Sequence, residues 1–221
     1  MFVDTLILSD EKWKNQDEIL LSYVSEERKE RLLRYRFDID RKLSLYSALI
    51  VHMRAVQQMD ISNLDVHFIK KEDGKPVLDG FPEFHFNISH TRNAVMCGFS
   101  NEELGVDVEK ISKAPFDIMR KCFTQNEIDC VDTTVEENAD FYKIWTRKEA
   151  YGKLRGIGIS DDVFRFDTLQ PKEKIAFETW RENNYIFSVC LEGKQIECIK
   201  RKITEEMLFD FFCIQSEKLN P

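Results

Sequence analysis

The chain has 221 residues and a formal charge of −8, from 32 basic and 40 acidic side chains, with 43% hydrophobic and 33% charged residues. That balance belongs to a globular chain of one large or two small domains and excludes a disordered or low-complexity segment. The acidic excess argues against a general nucleic-acid binder, which needs a surplus of phosphate-neutralising side chains.

The first fifteen residues hold no basic run followed by a long apolar stretch, so no signal peptide is expected. LSLYSALIV, at 43–51, falls far short of the roughly 20 residues of a membrane span. The 6 cysteines form no CxxC pair and the 4 histidines lack zinc-finger spacing. Reduced cysteines in a cytoplasmic protein that binds no membrane are the expectation.

FVDTLIL (2–8) is apolar and β-prone and predicts a strand. Residues 15 to 36 turn helical, with Ile19, Leu20, Tyr23 and Val24 as the apolar stripe. A second helix is predicted from Asp40 to Gln58, where Leu43, Tyr46, Leu49, Ile50, Met53 and Val56 keep the three-to-four spacing. LDVHFIKK (64–71) alternates like a strand, and DGKP (73–76) reads as a turn. HFNIS, AVMCGF and LGVDVE predict three further strands.

Helix signals return over 114–130, where Thr124 and Glu127 fit a capping box. The longest helix is predicted at 137–155, stopping at Gly156 with Lys153 and Arg155 in its last turn. IAFETW, YIFSVCL and QIECIK read as strands and ITEEMLFDFF as a terminal helix. An internal echo accompanies this order. Val3-Asp4 and Val106-Asp107 stand 103 apart, and Arg41-Lys42 and Arg147-Lys148 stand 106 apart. Two similar halves or two unrelated α+β subdomains would each accommodate it.

Five stretches could carry chemistry. In Gly105-Val-Asp107-Val-Glu109, strand alternation puts both carboxylates on one face. They repel unless a cation sits between them, and hard oxygens suit Mg²⁺; acids meeting solvent would look the same. In the run from Trp145 to Lys153, helical spacing stacks Trp145, Glu149 and Lys153. That is either a third carboxylate with a phosphate-binding lysine, or an ordinary Glu–Lys pair. Asn87, Ser89, His90 and Thr91 offer donors to an anion, although such residues also form turns. Gly74-Lys75-Pro76 places one cation on a turn. The segment from Arg28 to Lys42, including Arg28 and Arg31, is basic within an acidic chain: a solvated helix face, or a phosphate site.

In the order GKP, FNISHT, GVDVE and WTRKEAYGK, the sequence resembles the 4′-phosphopantetheinyl transferases of the surfactin-synthetase-activating (Sfp) type over nearly its whole length. The resemblance implies an α+β fold of two similar α/β halves in pseudo-twofold arrangement, 1–103 and 104–221, with the active site between them. It implies an enzyme that transfers the 4′-phosphopantetheine arm of coenzyme A to a serine of an apo acyl or peptidyl carrier protein. Asp107, Glu109 and Glu149 then match the Mg²⁺ ligands, with Glu149 also the candidate base, directly or through water. Lys75, Ser89 and His90 match coenzyme A contacts, with His90, Arg28 and Arg31 near the 3′-phosphate and Lys153 on the pyrophosphate. Thr91 departs from the expected serine but keeps a hydroxyl. A monomer follows from two fused halves.

A carrier would dock near 111–130 and after Gly156, with Phe116, Met119 and Phe123 facing it unless they are core. Glu127 is explained by capping and is left out of the site. Two other readings stay open: a non-catalytic coenzyme A or carrier-binding module, and an unrelated Mg²⁺-dependent phosphotransferase. The latter has no GxxxxGK[ST] loop to support it.

Overall fold

The computed structural model describes residues 1–71, 74–171 and 174–218, with side chains as far as Cys213. Three strands of one sheet build most of its first half. They are β1 (Phe2–Ile7), β4 (His85–Thr91) and β5 (Ala94–Ser100), separated by α1 (Asn15–Leu20), α2 (Glu26–Leu33), α3 (Asp38–Met59) and the short β2 (Phe68–Lys70) and β3 (Pro76–Leu78). The second half runs β6 (Leu104–Lys110), α4 (Phe116–Cys122), α5 (Gln125–Asp132), α6 (Glu137–Arg155), α7 (Asp161–Arg165), β7 (Ile175–Glu182) and β8 (Tyr185–Glu192). β9 (Ile199–Lys202) and α8 (Glu205–Lys218) close the chain.

Alternation along the strands decides the layers. Val95, Cys97 and Phe99 of β5 point to one core with Leu6 of β1 and Leu45, Leu49 and Ile50 of α3. The residues between them, Ala94 and Met96, point the other way and meet Val106, Val108, Phe187 and Val189. Two sheets therefore face each other, one ordered β4-β5-β1-β9 and the other β6-β8-β7. α3 covers the outer face of the first and α6 the outer face of the second. β9 pairs parallel with β1, and Leu208 and Phe212 of α8 enter the core under α3, so the chain returns to its first sheet.

Several expectations shift in their bounds for local reasons. The helix expected over 15–36 is broken, because Ser25 accepts from the Arg28 amide and opens a new helix. Likewise 114–130 splits at Thr124, whose capping box with Glu127 forms as predicted. The strand expected at 64–71 shrinks to three residues because its partner β3 offers only three, and 63–65 coil into a 3₁₀ turn. In QIECIK only Ile199 and Lys200 are strand, since pairing begins where β1 begins. The longest helix is α3, with 22 residues, not 137–155. Of the turn at 73–76, Asp73 lies outside the described residues. α6 ends at Gly156 in the left-handed conformation (φ 68°), as its sequence predicts.

No described cysteine is in a disulfide. No helix among the described residues is long and apolar enough to cross a membrane.

Candidate functional site

The free edges of two strands meet where the sheets adjoin. β4 is the edge of the first sheet and β6 the edge of the second. Alternate side chains of β4 reach across: Asn87 Oδ1 accepts from the Val106 amide at 3.1 Å, Ser89 Oγ donates to Asp107 Oδ1 at 2.7 Å, and Thr91 Oγ1 donates to Glu109 Oε2 at 2.9 Å. The valines of β6 fill the core between the sheets, so Asp107 and Glu109 turn together toward α6. Gly105 makes the approach close. A Cβ there would overlap the Ala150 carbonyl oxygen and stand 2.7 Å from the Leu154 amide nitrogen, so α6 can lie against β6 only across a glycine.

α6 supplies the rest. Lys153 Nζ donates to Asp107 Oδ1 at 2.8 Å and to the Val106 carbonyl at 3.0 Å. Glu149, one turn earlier, is half-buried. Its carboxyl is pushed up to about 7, first by burial and then by the negative charge of Asp107, with Lys153 pulling the other way. Burial also raises Asp107, against the pull of Lys153, and burial together with Asp107 raises Glu109. Three carboxylates thus crowd one lysine. Asp107 Oδ2 is buried without a hydrogen-bond partner.

An orphaned carboxylate oxygen and three acids with raised pKa values mark a place that a positive charge would stabilise. The donors are hard oxygens, as Mg²⁺ prefers. The residue set fits such an ion, although among the described residues no three His, Cys, Asp or Glu side chains already surround one point.

Other sequence-predicted residues lie around this centre. His90 is on the surface between Ser89 and Thr91. Its pKa is lowered, first by its partly buried surroundings and then by Lys153, with Asp40 opposing. Arg28 is half-buried, donates to the Ser44 carbonyl at 3.3 Å, and is lowered to about 10 by burial and then by Arg31. Arg31 is exposed, and neither arginine is in an ion pair among the described residues. Lys75 is ion-paired with Glu103, which also meets Lys71 at 3.9 Å and His85 at 3.3 Å.

The basic segment is therefore not one surface. Lys42, at its end, is fully buried, 2.8 Å from Glu205 and 3.7 Å from Asp17.

The phenylalanines expected to face a partner are mostly core: Phe123 and Met119 are buried and Phe116 partly so, while Ile118 stays exposed. Glu127 does more than cap. Fully buried, it pairs with Lys148 at 2.8 Å and accepts from the Thr168 amide and hydroxyl. Its sequence signal was the capping box; the lysine, adjacent to Glu149, could be matched to it only through the fold. Thr91 was visible as a departure and Asn87 as one polar residue in a row, but neither announced a partner on β6.

The signature of the 4′-phosphopantetheinyl transferase superfamily matches residues 103–211, and that of the 4′-phosphopantetheinyl transferase N-terminal region matches 11–100. The chain is 33% identical over 184 residues to the 4′-phosphopantetheinyl transferase gsp of Aneurinibacillus migulanus, covering 81% of this chain and 77% of that protein. It is 30% identical over 149 residues to the 4′-phosphopantetheinyl transferase Sfp of Bacillus subtilis, covering 66% of each. It is also 28% identical over 160 residues to the L-aminoadipate-semialdehyde dehydrogenase-phosphopantetheinyl transferase of Homo sapiens, where 52% of that protein is covered.

Proposed function

Because the chain belongs to the 4′-phosphopantetheinyl transferase superfamily, we propose that it moves the 4′-phosphopantetheine arm of coenzyme A onto a serine of an apo acyl or peptidyl carrier protein, releasing adenosine 3′,5′-bisphosphate. The observation that carries this most directly is the crowding of Asp107, Glu109 and Glu149 around Lys153, with Asp107 Oδ2 unsatisfied. Asp107, Glu109 and Glu149 would hold Mg²⁺. Bound there, the ion supplies charge neutralisation to the pyrophosphate under attack. The halves 1–103 and 104–221 would flank the reaction centre, and the protein would work as a cytoplasmic monomer.

The residues divide the work by chemistry. Lys153, already poised by Asp107, would also meet the pyrophosphate and offset the charge that develops as the phosphoryl group is transferred. Ser89, His90 and Lys75 would bind coenzyme A, with His90, Arg28 and Arg31 at the 3′-phosphate. Arg28 and Arg31 repel each other, which an anion between them would relieve. The carrier serine is a poor nucleophile while protonated. Glu149, directly or through a water, would take that proton as the serine oxygen bonds to phosphorus and the phosphorus–oxygen bond to the departing nucleotide breaks.

The test is to incubate the protein with coenzyme A, Mg²⁺ and a panel of apo-carriers and to weigh each carrier intact. At least one carrier should gain the mass of the arm. Tight coenzyme A binding with no mass gain on any carrier would favour a non-catalytic binding module.

A further inference from the structure

The contacts between β4 and β6 assign a role to a residue outside the proposed ligand set, and this inference rests on the function proposed above. Ser89 and Thr91 are two apart on one strand, as Asp107 and Glu109 are on the other, and each hydroxyl donates to one carboxylate. Asn87 extends the same row to the Val106 amide. The two edge strands are thus locked in register by side chains where no backbone ladder joins them.

We infer that Thr91 is a positioning residue for Glu109. A glutamate has three rotatable side-chain bonds, and its last is broad and weakly restricted. A hydroxyl fixed on Oε2 removes that freedom and leaves Oε1 outside this hydrogen bond. Threonine suits the task because its β-branch stiffens χ1, and the strand alternation that aims it at Glu109 sends His90 to the opposite side. Partners of this kind commonly set the affinity of a metal site by orienting its ligands. Ser89 does the same for Asp107, fixing Oδ1 while Oδ2 stays unengaged.

Thr91→Val keeps the shape and removes the hydroxyl; Thr91→Ser keeps the hydroxyl. Mn²⁺ is the probe, its free concentration read by electron paramagnetic resonance on the full chain without coenzyme A. Thr91→Val should weaken Mn²⁺ binding about 10-fold and raise the Mg²⁺ concentration for half-maximal transfer similarly. The KM for coenzyme A and the thermal midpoint should stay close to wild type, and Thr91→Ser should restore ion affinity. Unchanged Mn²⁺ affinity in Thr91→Val, or equal losses in both variants, would overturn the inference. A wild type that binds Mn²⁺ with this dependence on Thr91 but modifies no carrier would instead overturn the proposed transfer and leave the role of Thr91 standing.

Discussion

Asp4 on β1 and Asp107 on β6 each follow a valine, and each reaches a cation on the long helix covering its own sheet, Arg54 on α3 or Lys153 on α6. The resemblance ends at their surroundings. Asp4 is fully buried and bidentate with Arg54, whose guanidinium also packs over Phe2 and Phe99. Asp107 keeps one oxygen unsatisfied and has Glu109 and Glu149 as neighbours. At the spacings of the internal echo, the first half carries Leu6 and Leu43 where the second carries those two glutamates, and both leucines are core. Filling the position with apolar groups closes it, and filling it with acids leaves a negative excess that Lys153 offsets only in part and that raises the pKa of each acid.

A second pair of residues separates scaffold from site. Lys42 on α3 and Lys148 on α6 are both fully buried, and each meets an acid that caps a short helix earlier in the chain, Asp17 of α1 or Glu127 of α5. Lys148 also donates to the carbonyls of Val163, Phe164 and Phe166, tying the segment after α6 to the helix. A buried lysine–acid pair thus recurs on both long helices, whereas the carboxylate cluster lies beside α6 alone.

The largest expected effects set the two aspartates apart. Asp4→Asn leaves the Arg54 charge buried without a counter-ion, which should cost about 3–5 kcal/mol, read as a fall in the urea midpoint. Asp107→Asn relieves crowding, so its midpoint should hold, while carrier modification falls by about 100-fold or more. Equal destabilisation by both substitutions would erase the distinction between a closed and an open position.

A smaller effect concerns the surface beside the open cluster. His90, although its side chain is exposed, sits below its ordinary pKa of 6.5, from its partly desolvated surroundings first and from Lys153 second, which favours the neutral imidazole. A 3′-phosphate would draw a proton onto it, making a charge-assisted hydrogen bond of roughly 1.5–3 kcal/mol. His90→Ala should weaken coenzyme A about 10- to 100-fold and barely change 3′-dephospho-coenzyme A. The wild-type preference between the two ligands should grow as pH falls from 7 toward 6. Calorimetric titration of both ligands into both proteins checks this, and equal losses for both ligands would make His90 a structural residue.

What could be seen in the sequence was whatever depends on near neighbours. Strand alternation put Asp107 and Glu109 on one face, helical spacing stacked Glu149 and Lys153, and Thr124 with Glu127 announced a helix start; all three hold. Contacts made across the chain were hidden. Nothing local says that Glu127 meets Lys148, that Glu103 gathers Lys75, or that Lys42 in a basic run is buried. The same limit explains the bounds that moved: β2 is as long as its partner β3 and β9 begins where β1 begins, and no strand carries its partner's position in its own residues.

The smallest effect tests the open half without substrate. Glu149 titrates near 7 in the fold against an ordinary 4.5, because burial and then Asp107 disfavour its charge. A carboxyl raised on folding contributes fully to stability below pH 4.5, where folded and unfolded chains both carry its proton. That contribution is lost as pH climbs toward and through 7, where the folded chain must also ionise. Glu149→Gln cannot ionise, so in divalent-free buffer it should match wild type near pH 4.5 and exceed it by pH 8. The gain should be roughly 1 kcal/mol, well below the nominal shift because the side chain is partly solvent-exposed and screened. Adding Mg²⁺ at pH 8 should stabilise the wild type and close the gap, since the ion restores value to the charged form. Unfolding midpoints at the two pH values, with and without the ion, decide the matter. A wild type that equals Glu149→Gln at pH 8 without Mg²⁺ would mean that the three acids do not strain one another, and the contrast with the sealed Asp4 would rest on Asp107 alone.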